Sequence, residues 1–180
     1  MDCTLQSEIL VNHKYNMATS QNMTFRHALF VSLVFISAAC FGEDTKKPSP
    51  EEFLRSLYQF HQPGKDTPDW FGDQQTLSKY FDNELTNLFL KNAECEKREQ
   101  GVCNLDFDPV YEAQDFDEKT TNLEVAAVAD QPDSFKVTFT NLGTRTLVYK
   151  LTNTSSGWRI SDIKYAEGPS LKELLSQEIK

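Results

Sequence analysis

Between Leu123 and Tyr165 apolar and polar residues alternate with period two, and that pattern restricts the chain to a fold built around a sheet. In Ser134–Leu142, Phe135, Val137 and Phe139 point to one face and Lys136, Thr138 and Thr140 to the other. Thr144–Asn153 repeats the pattern, with Leu147, Tyr149 and Leu151 inward and Thr146, Lys150 and Thr152 outward. Val148 breaks it, which implies that the outer face is partly covered. In Trp158–Tyr165 the pair Trp158 and Ile160 alternates with Arg159 and Ser161, while Ile163 and Tyr165 continue in the opposite phase. A β-bulge near Ser161–Asp162 produces such a slip and bends the sheet. Leu123–Asp130 is a weaker strand, with Val125, Ala127 and Ala129 opposite Ala126 and Val128. Gln131-Pro132-Asp133, Asn141-Leu142-Gly143 and Thr154-Ser155-Ser156-Gly157 are short turn segments, so neighbouring strands run antiparallel.

What covers this meander lies ahead of it in the chain. Ser49-Pro50-Glu51-Glu52 combines an N-cap serine, a proline in the first turn and a glutamate at the third position, a strong helix start. The helix extends to about His61, with Phe53, Leu54, Leu57, Tyr58 and Phe60 on its apolar face, and Gln62-Pro63-Gly64 stops it. His61, beside these aromatics, reads as a capping or packing residue, with a catalytic base as the alternative. Lys65–Asp73 is a loop and Gln74–Tyr80 a short helix. Asp82 caps a longer one, about Asn83–Gln100, whose buried face carries Leu85, Leu88 and Phe89. Ser170-Leu171-Lys172-Glu173 repeats the capping box and opens a last helix through about Gln177.

The N-terminus has its own logic. Residues 1–22 show no apolar periodicity and read as a non-native or unstructured extension, with translation starting at Met23 or Met17. From Met23 a short cationic start leads into the apolar run Ala28–Ala39, which ends in small residues, the pattern of a secretory signal peptide over 23–42. Cleavage after Ala39 or after Gly42 is open. The same residues resemble a bacterial lipobox in which Cys40 is lipidated, although Ser37 stands where that motif has leucine. Residues 43–49 form a linker, and 50–180 are long enough for a single α+β domain. These features imply a periplasmic protein that touches membrane only through the signal peptide or a lipid on Cys40. In such a compartment Cys95 and Cys103 read as a disulfide, since two cysteines without a nearby histidine supply too few metal ligands. The net charge of −9 argues against nucleic acid and against anionic lipid as partners.

Chemistry concentrates in Asn104–Asp117, where Asp106, Asp108, Asp115 and Asp117 lie among Phe107, Tyr111 and Phe116. Four carboxylates could bind calcium, yet the spacing is not that of an EF-hand loop and no cofactor or metal is implied. A carboxylate among aromatics could serve as an acid or base. The structural alternative is that Asp108-Pro109 starts a helical turn and Gln114-Asp115 hydrogen-bonds neighbouring backbone.

Asp108-Pro109, Gln114-Asp115, the strand Trp158-Arg159-Ile160-Ser161-Asp162-Ile163 and Ser170-Leu171 together resemble a bacterial exported family, domain of unknown function 3828. The similarity spans about Glu52–Leu175. It implies a cone-shaped, nuclear-transport-factor-2-like α+β fold: helices at the N-terminal side and one at the C-terminus packed on a curved four-stranded antiparallel meander. It implies no activity. Three functions follow as expectations. The first is an exported non-catalytic binding module for a small molecule or a protein, with Tyr58, Tyr80, Tyr111, Gln114 and Asp115 as candidate ligand contacts. The second is a cone-fold enzyme using Asp115 with Tyr58, Tyr80 or Tyr111 in proton transfer. The third is a periplasmic immunity-like protein. Fold alone does not choose among them.

Overall fold

The structure is a computed structural model that describes residues 47–62, 70–117 and 119–178. The expected extension, signal peptide, lipidation at Cys40, most of the linker and the helix stop at Pro63-Gly64 lie outside the described residues.

The described residues form an α+β domain: α1 (Pro50–Phe60), a short 3₁₀ turn (Trp70–Gly72), α2 (Gln74–Tyr80), α3 (Asn83–Glu99), strands β1 (Thr121–Val128), β2 (Gln131–Thr140), β3 (Thr144–Thr154) and β4 (Gly157–Lys164), and α4 (Leu171–Leu175). The four strands make one antiparallel sheet in sequence order, as the short turns require. Phe135, Val137, Phe139, Leu147, Tyr149 and Leu151 are buried on one face, while Lys136, Thr146 and Lys150 are exposed on the other. Val148 is half-buried because the register sets it between Lys136 and Lys164. Their long aliphatic stems can lie along it while the ammonium groups stay in water. The phase slip in β4 is a bulge: Lys150 faces Asp162 while Leu151 faces Ile160, leaving Ser161 as the extra residue. That shift is what brings both Ile160 and Ile163 into the core.

Both capping boxes are present. The Ser49 and Ser170 hydroxyls accept from the Glu52 and Glu173 N–H groups, and each glutamate accepts from the cap residue's own N–H. Helix α1 buries Phe53, Leu54, Leu57 and Tyr58 against the inner sheet face, whereas Phe60 turns outward and is 41% exposed. Asp82 caps α3, and Gln100 ends it in the left-handed conformation. Leu88 is only half-buried; the buried stripe of α3 is Leu85, Thr86, Phe89, Asn92 and Cys95. Asn92 earns its place by accepting from the Asn104 N–H at 2.9 Å, which satisfies the loop backbone.

Two boundaries differ from expectation. Gln131-Pro132-Asp133 is not the first hairpin turn but part of β2. The turn is Ala129–Asp130, closed by pairing of Val128 with Gln131, with Asp130 at φ 59 supplying the left-handed residue. Pro132 is tolerated because the register shifts between Ala127 and Val128, so no ladder hydrogen bond is demanded of it there. Helix α4 ends at Leu175, with Leu171 and Leu175 in the core. The carbonyls of Leu175 and Gln177 accept from the Asn104 side-chain amide instead of continuing the helix.

Cys95 and Cys103 are disulfide-bonded, with Cα atoms 6.2 Å apart, inside the range a bridge requires. The bridge ties the last turn of α3 to the loop that follows it, ahead of the strands in sequence. Replacing both cysteines by serine is expected to lower stability by about 2–3 kcal/mol on chain-entropy grounds. Denaturant melts of oxidised and double-variant protein check this; loss of folding altogether would mean that the bridge, and not the sheet core, holds the domain together.

Candidate functional site

The densest polar chemistry of the domain sits where residues 108–113 run under the inner face of the sheet. Asp108 opens a tight turn. One carboxylate oxygen accepts from the N–H groups of Val110 at 2.8 Å and Tyr111 at 3.2 Å. The turn closes by the Asp108 N–H donating to the Ala113 carbonyl at 2.9 Å, with Glu112 at φ 51 making the reversal. This is the local bonding that aspartate favours ahead of a proline.

The other Asp108 oxygen bonds Nε2 of His61, the residue that caps the C-terminus of α1. Nδ1 of the same ring accepts from the Trp70 indole N–H at 3.1 Å. An indole N–H can only donate, so Nδ1 is the acceptor and the ring hydrogen facing Asp108 is on Nε2. The tautomer thus follows from the bonding pattern around the ring. His61 and Trp70 are 7% and 4% exposed, which makes this Trp–His–Asp relay an interior feature.

Tyrosines hold the same turn from three other directions. Tyr58 of α1 donates to the Val110 carbonyl at 3.0 Å and is 2.9 Å from the Tyr149 hydroxyl of β3. Tyr149 lies 3.4 Å from that carbonyl, Tyr165 donates to the Pro109 carbonyl at 3.3 Å, and Tyr111 donates to the His61 carbonyl at 2.8 Å. Rings of Tyr58, Tyr111 and Phe139 meet edge-on or tilted at 5.3–5.4 Å between centroids. Burial, which penalises the phenolate, raises all four phenols: Tyr111 to about 12, and Tyr58, Tyr149 and Tyr165 well above their ordinary value. The Asp108 charge pushes in the same direction.

Chemically, a carboxylate that orients an imidazole is half of a nucleophile-activating relay. The remaining ring nitrogen would have to face a nucleophile, and here it faces an indole N–H, which holds no lone pair to activate. The arrangement works as a latch: it ties the end of α1, the 3₁₀ turn and the 108–113 turn to the sheet.

Of the five ligand contacts expected from sequence, Tyr58 and Tyr111 meet edge-on in the core, and no single site gathers all five. Tyr58 and Tyr111 are core residues of the latch. Tyr80 is half-buried and stacks on Phe60 at 5.3 Å. Gln114 is exposed and donates to the Asp106 carbonyl at 3.1 Å, a backbone bond of the kind expected. Asp115 is exposed, and among the described residues its carboxylate accepts no hydrogen bond, so the structural role expected for it is a correction. That role belongs to Asp108 and Asp117, the latter accepting from the Leu142 N–H at 3.1 Å. The reason is local: Asp108 precedes the proline and takes the N–H groups two and three residues on, whereas the Asp117 N–H two residues after Asp115 donates to the Asn141 side chain. His61 is the only histidine after the N-terminal 46 residues, and its pairing with an aspartate 47 positions later left no trace in sequence spacing.

Open space lies elsewhere. A surface cleft of about 570 Å3 runs between the α2–α3 junction and the β3–β4 turn, lined by Ser78, Asp82, Asn83, Ser155, Ser156 and Arg159 among others. Its Arg159 is anchored on main chain: Nε donates to the Ser78 carbonyl at 2.8 Å and one terminal nitrogen to the Trp158 carbonyl at 2.7 Å. Among the described residues no group of three or more His, Cys, Asp or Glu side chains could hold a metal ion. No helix among them is long and apolar enough to cross a membrane.

No family model, no curated protein and no solved structure matches the chain.

Two measurements follow from the latch. Asp108→Ala removes the acceptor for three donors and is expected to cost about 2–4 kcal/mol, since buried donors are left unpaired. Asp115→Ala is expected to leave the thermal melting curve unchanged. Equal effects of the two substitutions would contradict this division of roles. Second, the four phenols carry raised values in the folded state relative to the unfolded chain, so the stability tied to their protonated form is fully present below about pH 10. It is lost as pH climbs through the folded-state values, that of Tyr111 lying at about 12. Tyrosinate absorbance should therefore appear for these residues only together with loss of near-ultraviolet circular dichroism; ionisation of all tyrosines near pH 10 in a still-folded protein would overturn the assignment.

Proposed function

We propose that this chain is an exported, non-catalytic binding module that meets its partner at the open cleft beside Arg159. The observation that carries this reading is that the inner sheet face, where a cone-fold enzyme would keep its substrate, is filled by the protein's own Tyr58, Tyr111, Phe139 and Tyr149. A ligand on that face would have to displace a satisfied tyrosine network. The cleft demands no such displacement. Its arginine is pre-set by bonds to carbonyls, and a guanidinium has five donors, so capacity remains for a partner's acceptor groups. Asp82 and Glu84 on the same rim disfavour a polyanion and favour a partner of mixed polarity.

Export rests on the signal-like 23–42 segment, and the disulfide fits an oxidising compartment. The resemblance to domain of unknown function 3828 is consistent with both. The enzyme and immunity-like readings gain no support from the exposed position of Asp115.

Expression of the full chain in a Gram-negative bacterium is expected to yield periplasmic protein whose N-terminus lies between Cys40 and Glu43. Added diacylglyceryl mass on Cys40 would assign a lipid anchor, and an unprocessed cytoplasmic chain would overturn export. A photo-crosslinking residue in place of Ser155 is expected to give a discrete adduct in cells, lost with Arg159→Glu and retained with Asp115→Ala. An adduct indifferent to Arg159→Glu would place binding elsewhere.

A further inference from the structure

The two edges of the sheet are treated differently. The β4 edge is covered: Phe81 bridges Ile160 in parallel, the Asp82 N–H donates to the Ile160 carbonyl at 2.9 Å, and Arg159 reaches the Ser78 carbonyl. The β1 edge carries one such contact, from Arg55 to the Leu123 carbonyl at 3.0 Å. Beyond it, the outward main-chain groups of β1 have no hydrogen-bond partner among the described residues.

Which groups those are can be derived. Val128 and Gln131 close a two-residue turn, so Val128 exchanges hydrogen bonds with β2. Alternation then turns Ala126 and Glu124 toward β2, and Ala127, Val125 and Leu123 outward. The Leu123 carbonyl bonded to Arg55 confirms this phase. The free edge is therefore the N–H and C=O pairs of Val125 and Ala127, on a strand that reads Glu124-Val125-Ala126-Ala127-Val128. Natural edges are commonly blunted by lysine or proline, and β1 carries neither.

We infer that β1 pairs antiparallel with β1 of a second copy, about a two-fold axis at Ala126, to give one continuous sheet across the two chains. In this register Val125 faces the partner's Ala127 and Ala127 the partner's Val125, so all four free groups of each edge are used. Ala126 faces its own copy in a non-hydrogen-bonded pair, where Cα atoms approach to about 4.5 Å and a methyl side chain fits. Glu124 faces Val128, so no like charges meet. Each copy brings one Glu124 and one Lys136 to this strip, two opposite charges that balance there. A one-residue shift would put bonded groups against free ones, which selects this register.

Ala126→Glu separates the outcomes. Within one copy residue 126 faces Lys136, so the substitution is favourable to the monomer; across the axis it faces itself. The full chain is expected to double its mass with rising concentration in sedimentation equilibrium. Ala126→Glu should weaken that association at least about tenfold, a change of about 1.4 kcal/mol, without lowering the melting temperature. Ala127→Pro, which removes an outward N–H and leaves the β1–β2 ladder intact, should do the same. Ala126→Cys should give a covalent dimer under oxidising conditions. Wild-type protein that stays monomeric throughout, or a dimer unchanged by Ala126→Glu and Ala127→Pro, overturns the proposal.

Discussion

The domain depends on the Asp108 carboxylate. A buried charge is costly unless it is surrounded by donors, and here the backbone of Val110 and Tyr111 and the ring of His61 provide them. The tyrosine hydroxyls of the inner sheet face are arranged around the turn that this carboxylate holds. Tyr58 and Tyr149 could not be buried unless their hydroxyls found acceptors, and the Val110 carbonyl is that acceptor, while half-buried Tyr165 donates to the Pro109 carbonyl. The latch therefore turns what would be a lining for a ligand into a closed, protein-filled core.

That closure redirects attention from the inside of the domain to its margins. On one margin the β4 edge, α2 and the start of α3 enclose a polar cleft with an anchored arginine. On the other, β1 is left as a short, nearly uncharged edge of alanine and valine. The asymmetry has a simple origin. Phe81 and Asp82 pair with the β4 edge and the first turn of α4 hydrogen-bonds to Asp162, whereas the hydrogen bond from α1 to the β1 edge among the described residues is the one from Arg55.

Much of the architecture was legible because it is written in local periodicity. Phe135, Val137, Phe139, Leu147, Tyr149 and Leu151 declare the inner face two residues at a time, and a phase slip at Ser161 betrays a bulge without any knowledge of the partner strand. Ser49 with Glu52 and Ser170 with Glu173 mark helix starts because a capping box is closed within one turn. The first hairpin was misplaced because Pro132 is the stronger turn signal in sequence. The left-handed residue that makes the turn is Asp130, and aspartate in that conformation competes with many other uses of the residue.

The site was far less legible. Asp115 and Asp108 look alike in sequence, both acidic among aromatics, yet one is exposed and the other is the interior keystone. What distinguishes them is which backbone N–H groups and which distant side chain face them, and His61 and Trp70 approach from segments joined to Asp108 only by folding. By itself the sequence determined a four-stranded meander, its buried face, its helix starts and its disulfide, since each depends on neighbours within a few residues or on a single close pair. The tertiary structure alone decided that the inner face is filled, that Asp108 and not Asp115 is held, and that one sheet edge stays open. Those outcomes depend on donors meeting acceptors across long stretches of chain, and no periodicity in the sequence records such a meeting.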